Sequence, residues 1–253
     1  MLADWSQVTT NTTLGLLVGA NTFRNPGLVV KLITALDHLS GGRAVLGHGG
    51  AWFDTEHTAF GIDFGRTVGE RLDWLDEAVE LIHGMLRTPR ATARGDRYHA
   101  MVVRNDPPPL QARLPILIGG SGERKTLRTI ARYADAWNAA NLTPEEAGAK
   151  DVVLRRWCDE IGRDTNEIER TISLGPLAIR DDPADAARLV AGYHARNVDM
   201  TRAVLTGSPE RIAERCRQYV ALGFRHVIYH LVSPYDDETL IRFATEVRPG
   251  LDG

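Results

Sequence analysis

Cysteine is scarce in this chain: only Cys158 and Cys216, in separate helical patterns, among 253 residues. Two such residues build neither a disulfide framework nor a metal site. A surplus of either charge is also lacking, since 30 basic and 33 acidic residues leave a net charge of −3. The two signs are interspersed, so nothing points to nucleic acid or an anionic membrane. Long apolar runs are missing, and the longest falls far short of the roughly 20 residues that cross a bilayer. Met1-Leu2-Ala3-Asp4-Trp5 has neither the basic start nor the apolar core of a secretion signal. A cytoplasmic protein without a metal is expected.

What the chain does have is punctuation. The stretch Leu14 to Phe64 reads LGLLVGANTFRNPGLVVKLITALDHLSGGRAVLGHGGAWFDTEHTAFGIDF. An apolar run, Leu14 to Ala20, reads as a strand. Asn25 can cap a helix that begins with Pro26, where the missing N–H costs nothing. Val29, Leu32, Ile33, Leu36 and Leu39 form its apolar face, and Ser40-Gly41-Gly42 stops it. Ala44 to Gly47 is a second strand, followed by a glycine-rich loop. Parallel strands bind small molecules beyond their carboxyl ends, so both loops stand where a ligand is expected.

The alternation continues. Val68, Leu72, Leu75, Val79, Ile82 and Leu86 mark a long amphipathic helix. Residues 88–113 lack helical periodicity and read as an excursion with a short hairpin near Arg97 to Val103. Strands are expected at Pro115 to Ile118, Ala136 to Asn138, Thr171 to Ile179 and His226 to Val232. Helices are expected at Glu123 to Tyr133, from Thr143 to about Ile161, after Asp182-Pro183, from Ser208 to Gly223 and from Asp237 to Val247. About six strands alternating with helices give an α/β fold with a parallel sheet, in one domain spanning 1–253.

Three familiar signatures each fail at one residue. His48-Gly49-Gly50-Ala51-Trp52 looks like a hydrolase oxyanion loop, but Gly119-Gly120-Ser121-Gly122-Glu123 is no nucleophile elbow, ending on glutamate. The same run with Arg124-Lys125-Thr126 misses a nucleotide P-loop because Arg124 precedes the lysine. A dinucleotide fingerprint starting at Gly47 ends on Trp52. The physics under the second near-miss survives. Ile116-Leu117-Ile118 runs through glycines into a helix, whose free N–H groups and dipole suit an anion, with charge from Arg124 and Lys125. The residues alone leave two readings: a phosphate site, or a tight turn with solvated basic side chains.

Taken together, LGLLVGANTFRNPGLVVKLITALDHLSGGRAVLGHGGAWFDTEHTAFG, GERLDWLDEAVELI and PILIGGSGERKTLRTIARYADAWN resemble the bacterial luciferase-like family. The resemblance is to the branch of coenzyme F420-dependent oxidoreductases of actinobacteria. It is strong from Met1 to about Asn138 and weaker through Leu205-Thr206-Gly207-Ser208-Pro209-Glu210. It implies a TIM (β/α)8-type barrel, hydride transfer at a deazaflavin (F420) or, alternatively, FMN, and a homodimer. It places the cofactor phosphate on Gly119, Gly120, Ser121 and Gly122. It places a non-proline cis peptide at Leu17–Val18, backing onto the cofactor ring. Asn138, at a strand end, is a further cofactor contact.

His48 and Trp52 are candidates for the substrate pocket. Glu56 and Arg71 read as a structural ion pair, and Arg24 as a residue that meets a substrate anion or the surface. His226 and His230 share one side of a strand without the partners a metal needs. In the family a strand, a helix and a second strand, often carrying an acid–base histidine, precede the segment that begins here. A barrel lacking its first two strands is therefore expected, with open edges inclined to self-association. Catalytic residues stay unassigned. The rivals to the F420 oxidoreductase are an FMN-dependent monooxygenase and a non-catalytic, flavin-binding or structural barrel.

Overall fold

Capping chemistry sets the first elements of the computed structural model, which describes residues 1–194, 205–230 and 235–251. A short helix α1 (Leu2–Val8) comes first. It has no side-chain cap of its own and is held from a distance by Arg43. That guanidinium donates to the carbonyls of Ser6, Thr9 and Thr12 at 2.9, 3.0 and 2.7 Å. The strand expected over Leu14 to Ala20 is two pieces, β1 (Leu14–Gly15) and β2 (Gly19–Ala20). Between them the chain leaves the ladder at Leu16–Val18, and the Leu17–Val18 peptide is cis, at the expected bond.

Helix α2 (Pro26–Ser40) is built as read: Asn25 Oδ1 accepts from the Gly27 N–H at 2.9 Å, and Gly41 closes it in the left-handed region. Its buried face is Val30, Ile33 and Leu36; Leu32 and Leu39 of the expected face are 50% and 53% exposed. Strand β3 (Ala44–Gly49) leads to a helix the sequence pattern did not reveal, α3 (Asp54–Phe60), closed by Gly61 in the left-handed region. Helix α4 (Val68–Arg87) starts at Thr67, whose hydroxyl accepts from the Glu70 N–H. Its Leu75, Val79 and Ile82 are fully buried. Each such side chain contributes roughly 1.5–3 kcal/mol.

The excursion holds an antiparallel hairpin, β4 (Ala91–Arg94) and β5 (His99–Val103). After β6 (Ile116–Gly119), helix α5 (Thr126–Tyr133) starts three residues later than expected, because Glu123 to Lys125 form a turn. Strand β7 (Ala136–Ala140) and helix α6 (Pro144–Glu160) follow. The chain groups into two compact units, Met1–Trp137 with Val153–Ile168, and Asn138–Val152 with Glu169–Gly253. In the first, β1 and β2 both pair in parallel with β3, and β3 pairs in parallel with β6.

The second unit centres on a long buried strand, β8 (Glu169–Ile179). Helix α7 (Pro183–His194), strand β9 (Leu205–Gly207), helix α8 (Pro209–Ala221), strand β10 (Phe224–His230) and helix α9 (Asp237–Arg242) follow. Both β9 and β10 pair in parallel with β8. The split first strand and β9 raise the strand count above six. The strand expected to reach Val232 is seen to His230, and Leu231 and Val232 lie outside the described residues. The last expected helix changes character at Phe243, where a π-turn runs to Val247. Among the described residues no helix is long and apolar enough to cross a membrane.

Candidate cofactor site at the strand ends of the first unit

Three parallel strands end side by side, with Ala20 opposite Gly49 and Gly49 opposite Gly119. Their following loops therefore open together at the carboxyl edge. The segment Leu16–Val18 lies against this edge because its neighbours have no side chains. A Cβ added to Gly47 would sit 1.7 Å from the Leu16 carbonyl oxygen, and one on Gly49 or Gly119 would sit 2.7 or 2.9 Å from Val18 Cγ2. Val18 thus occupies the volume that side chains on β3 and β6 would fill. Leu17, next to it, is 47% exposed. Leu17, Val18 and Gly119 are brought together as a backbone platform.

The turn after β6 is the second part. Gly120 has φ 127°, a conformation closed to ordinary L-residues. Trp137, fully buried, donates its indole N–H to the Gly120 carbonyl at 2.8 Å, and Trp157 donates to the Glu123 carbonyl at 2.7 Å. Both carbonyls are thereby held by indole donors. Among the described residues the N–H groups of Gly120, Ser121 and Gly122 donate to no protein acceptor. A run of free donors ahead of α5 is a cradle for an anion. The charge expected from Lys125 is spent, since its Nζ bonds both oxygens of Asp73 at 2.6 and 2.7 Å. Arg124 is exposed and has no ion-pair partner among the described residues.

His48 alternates with Gly47 and Gly49 along β3, so its side chain leaves their face of the strand. It is 2% exposed, and its Nε2 lies 3.1 Å from Asn21 Oδ1. Trp52 is 84% exposed beside Phe53, at the end of the β3 loop. Asn138 belongs to the second unit, where its amide donates to Thr171 and Ser173 at 2.9 and 3.1 Å. Arg71 does not pair with Glu56: its guanidinium lies 3.7 Å from the Phe64 ring centroid and donates to the Phe64 carbonyl. His226 faces Glu169 at 3.1 Å, and among the described residues no three His, Cys, Asp or Glu side chains form a metal cluster.

Sequence reasoning missed His57, in α3. Its Nδ1 lies 2.7 Å from the Phe53 carbonyl, an acceptor only, so Nδ1 carries the proton. Nε2 lies 2.6 Å from the Thr22 hydroxyl. One buried ring thereby ties the loop after β2 to the loop after β3. The T-E-H-T-A-F-G run carries a signal in its closing glycine, which caps α3.

Burial without a countercharge pushes the His48 pKa down to about 4 from 6.5. The folded protein therefore keeps His48 neutral where the unfolded chain takes up a proton. The contribution is fully present above about pH 6.5 and is lost as pH falls towards 4, amounting to about 3 kcal/mol. Urea unfolding between pH 7.5 and 4 is expected to show this fall, and His48→Gln to remove that part of the slope. Parallel slopes for the two proteins would refute it.

A sequence model of the family described as luciferase-like monooxygenase matches residues 1–201. An F420-dependent glucose-6-phosphate dehydrogenase of Kineococcus radiotolerans is 27% identical over 271 residues, covering 95% of this chain and 78% of that one. Its counterpart in Intrasporangium calvum is 28% identical, covering 100% and 83%. Among solved structures, an F420-dependent secondary alcohol dehydrogenase in complex with an F420-acetone adduct superposes with TM-score 0.83. That likeness covers 100% of this chain and 83% of the other at 17% identity, and it shows the α/β fold with a parallel, curled, TIM-barrel-like sheet.

Proposed function

Since the chain belongs to the luciferase-like monooxygenase family, we propose that this oxidoreductase moves a hydride between coenzyme F420 and a small organic substrate. The observation that carries the reading is the pairing, in one unit, of a free-donor turn with a bare backbone platform. The N–H groups of Gly120, Ser121 and Gly122 would hold the cofactor phosphate, and the exposed Arg124 stands near in sequence for further negative charge. Leu17 and Val18 would support the ring. Two curated relatives named for F420 add weight to a deazaflavin over FMN.

The deazaflavin would supply the hydride at its 5-position. The chain's own part is to bind, orient and exclude water. Glycines at 47, 49 and 119 let Leu16–Val18 approach, and the tryptophan at 137 holds the turn. Trp52, at the rim, would cover the bound substrate. His48 is held by Asn21 and neutral, so it is not assigned a proton-transfer role. A homodimer belongs to the same proposal, and sedimentation velocity reads it.

Quenching of intrinsic tryptophan fluorescence on titration with F420 and with FMN tests the reading. Micromolar F420 binding with weaker FMN binding is expected. Gly122→Ala, whose Cβ would stand 2.9 Å from Thr126 Oγ1, is expected to weaken F420 at least about ten-fold, since hydrogen bonds to a charged group are worth about 1.5–3 kcal/mol. It should leave the phosphate-free ring fragment unaffected. Preference for FMN would turn the reading to a monooxygenase. Binding of neither would favour a non-catalytic barrel.

A further inference from the structure

A second feature of the first unit adjoins the Leu16–Val18 segment without being lined by Leu17, Val18 or the turn after β6. It is a cavity of about 360 Å³ enclosed by α1, α2 and β3, within the range of about 300–1,000 Å³ typical of small-molecule sites. Its wall is largely aliphatic, with Leu2, Leu16, Leu32, Leu36, Leu39 and Leu46 among the lining residues. Three of these, Leu16, Leu32 and Leu39, are half exposed, so the cavity opens to solvent along a leucine-lined mouth. Water gains little from such a wall, and an apolar guest gains the area it covers.

Two polar side chains border it, and they differ in kind. His48 is neutral near pH 7 and committed to Asn21. Arg24 is exposed, lines the cavity and has no carboxylate partner among the described residues. It is the only lining side chain that is charged near neutral pH. A hydrocarbon wall with one arginine, free of a carboxylate partner among the described residues, in its lining matches a ligand with an aliphatic tail and a single anionic head.

We propose that this cavity binds a free amphiphilic monoanion, a carboxylate on a medium-length aliphatic chain, with its head at Arg24 and its tail among the leucines of α1 and α2. The cavity shares Leu16 and Gly47 with the segment beneath the proposed ring, but Leu17, Val18 and the residues of the Gly119 to Gly122 turn do not line it.

Calorimetric titration with decanoate and 1-decanol, below their aggregation limits, tests it. Decanoate is expected to bind in the micromolar range and more tightly than the alcohol. Arg24→Gln should weaken decanoate by roughly three- to five-fold, the worth of an exposed ion pair, and leave the alcohol unchanged. Ala3→Trp, placed on the exposed side of α1 where bulk does not enter the core, should block both ligands while circular dichroism stays native. Equal affinities for acid and alcohol, or no effect of Arg24→Gln, would overturn the assignment of the head. Binding that survives Ala3→Trp, or no binding with sedimentation showing a dimer, would overturn the cavity as a ligand site. Co-sedimentation with phosphatidylglycerol vesicles, lost in Arg24→Gln, would move the anion from a free amphiphile to a membrane surface and overturn the proposal as stated.

Discussion

Gly47→Ala is expected to lower the unfolding free energy by about 3 kcal/mol or more, the upper end of overpacking penalties. The Cβ would fall 1.7 Å from the Leu16 carbonyl oxygen and 2.9 Å from its carbon. These are backbone atoms, so no rotamer change relieves the clash, and either β3 or the Leu16–Val18 segment must move. For a chain of this size that cost corresponds to a melting temperature lower by roughly 6–12 °C. Cofactor binding should fail with it, since the segment that moves is the proposed ring support. Gly192→Ala is the control: nothing lies within 4 Å of a Cβ there, in α7. It is expected to stabilise by roughly 0.5–1 kcal/mol. A melting curve for Gly47→Ala that overlays the parent would show that Leu16 yields freely.

Asp135→Ala is expected to cost about 3–5 kcal/mol, the range for stripping one member from a buried ion pair. The carboxylate binds Arg87 at 2.6 Å and Arg113 at 2.6 Å, and it accepts from the Ile116 N–H at 2.8 Å. Arg87 is only 12% exposed along its side chain. Burial already pushes its pKa down, and without Asp135 its charge keeps only the Leu114 carbonyl. Arg113 is 59% exposed, so Arg113→Ala should cost less than about 1 kcal/mol. Denaturant midpoints for the two variants read the contrast, and equal midpoints would mean Arg87 finds water. Because Ile116 opens β6, loss of Asp135 also loosens the strand that leads into the proposed phosphate turn.

The sequence was most legible where structure is local. Asn25, Pro26 and Gly41 bracket α2 because cap and stop are decided within a few residues. Helix α4 was plain from spacing alone. Local pattern does not mark helix α1, whose hold comes from Arg43, more than thirty residues away. Helix α3 was hidden because its anchor, His57, bonds a threonine on another loop. Charge was misread for the same reason. Lys125 stands beside the glycine turn in sequence, but Asp73 of α4 claims it in space. Arg71, which reads in sequence as the partner of Glu56, lies on Phe64 instead. The cis peptide position came from family resemblance and could not have come from composition.

Val18 meets β3 and β6 where they carry glycines, so three positions share one allotment of space. The identities at 18, 49 and 119 are therefore not separate choices: a larger residue on either strand is admissible only if the one at 18 shrinks. Such positions change together or not at all, and a substitution judged one site at a time would look forbidden when its pair is not. The floor beneath the proposed ring thus behaves as a single inherited unit, spread over three segments of chain and some hundred residues of sequence.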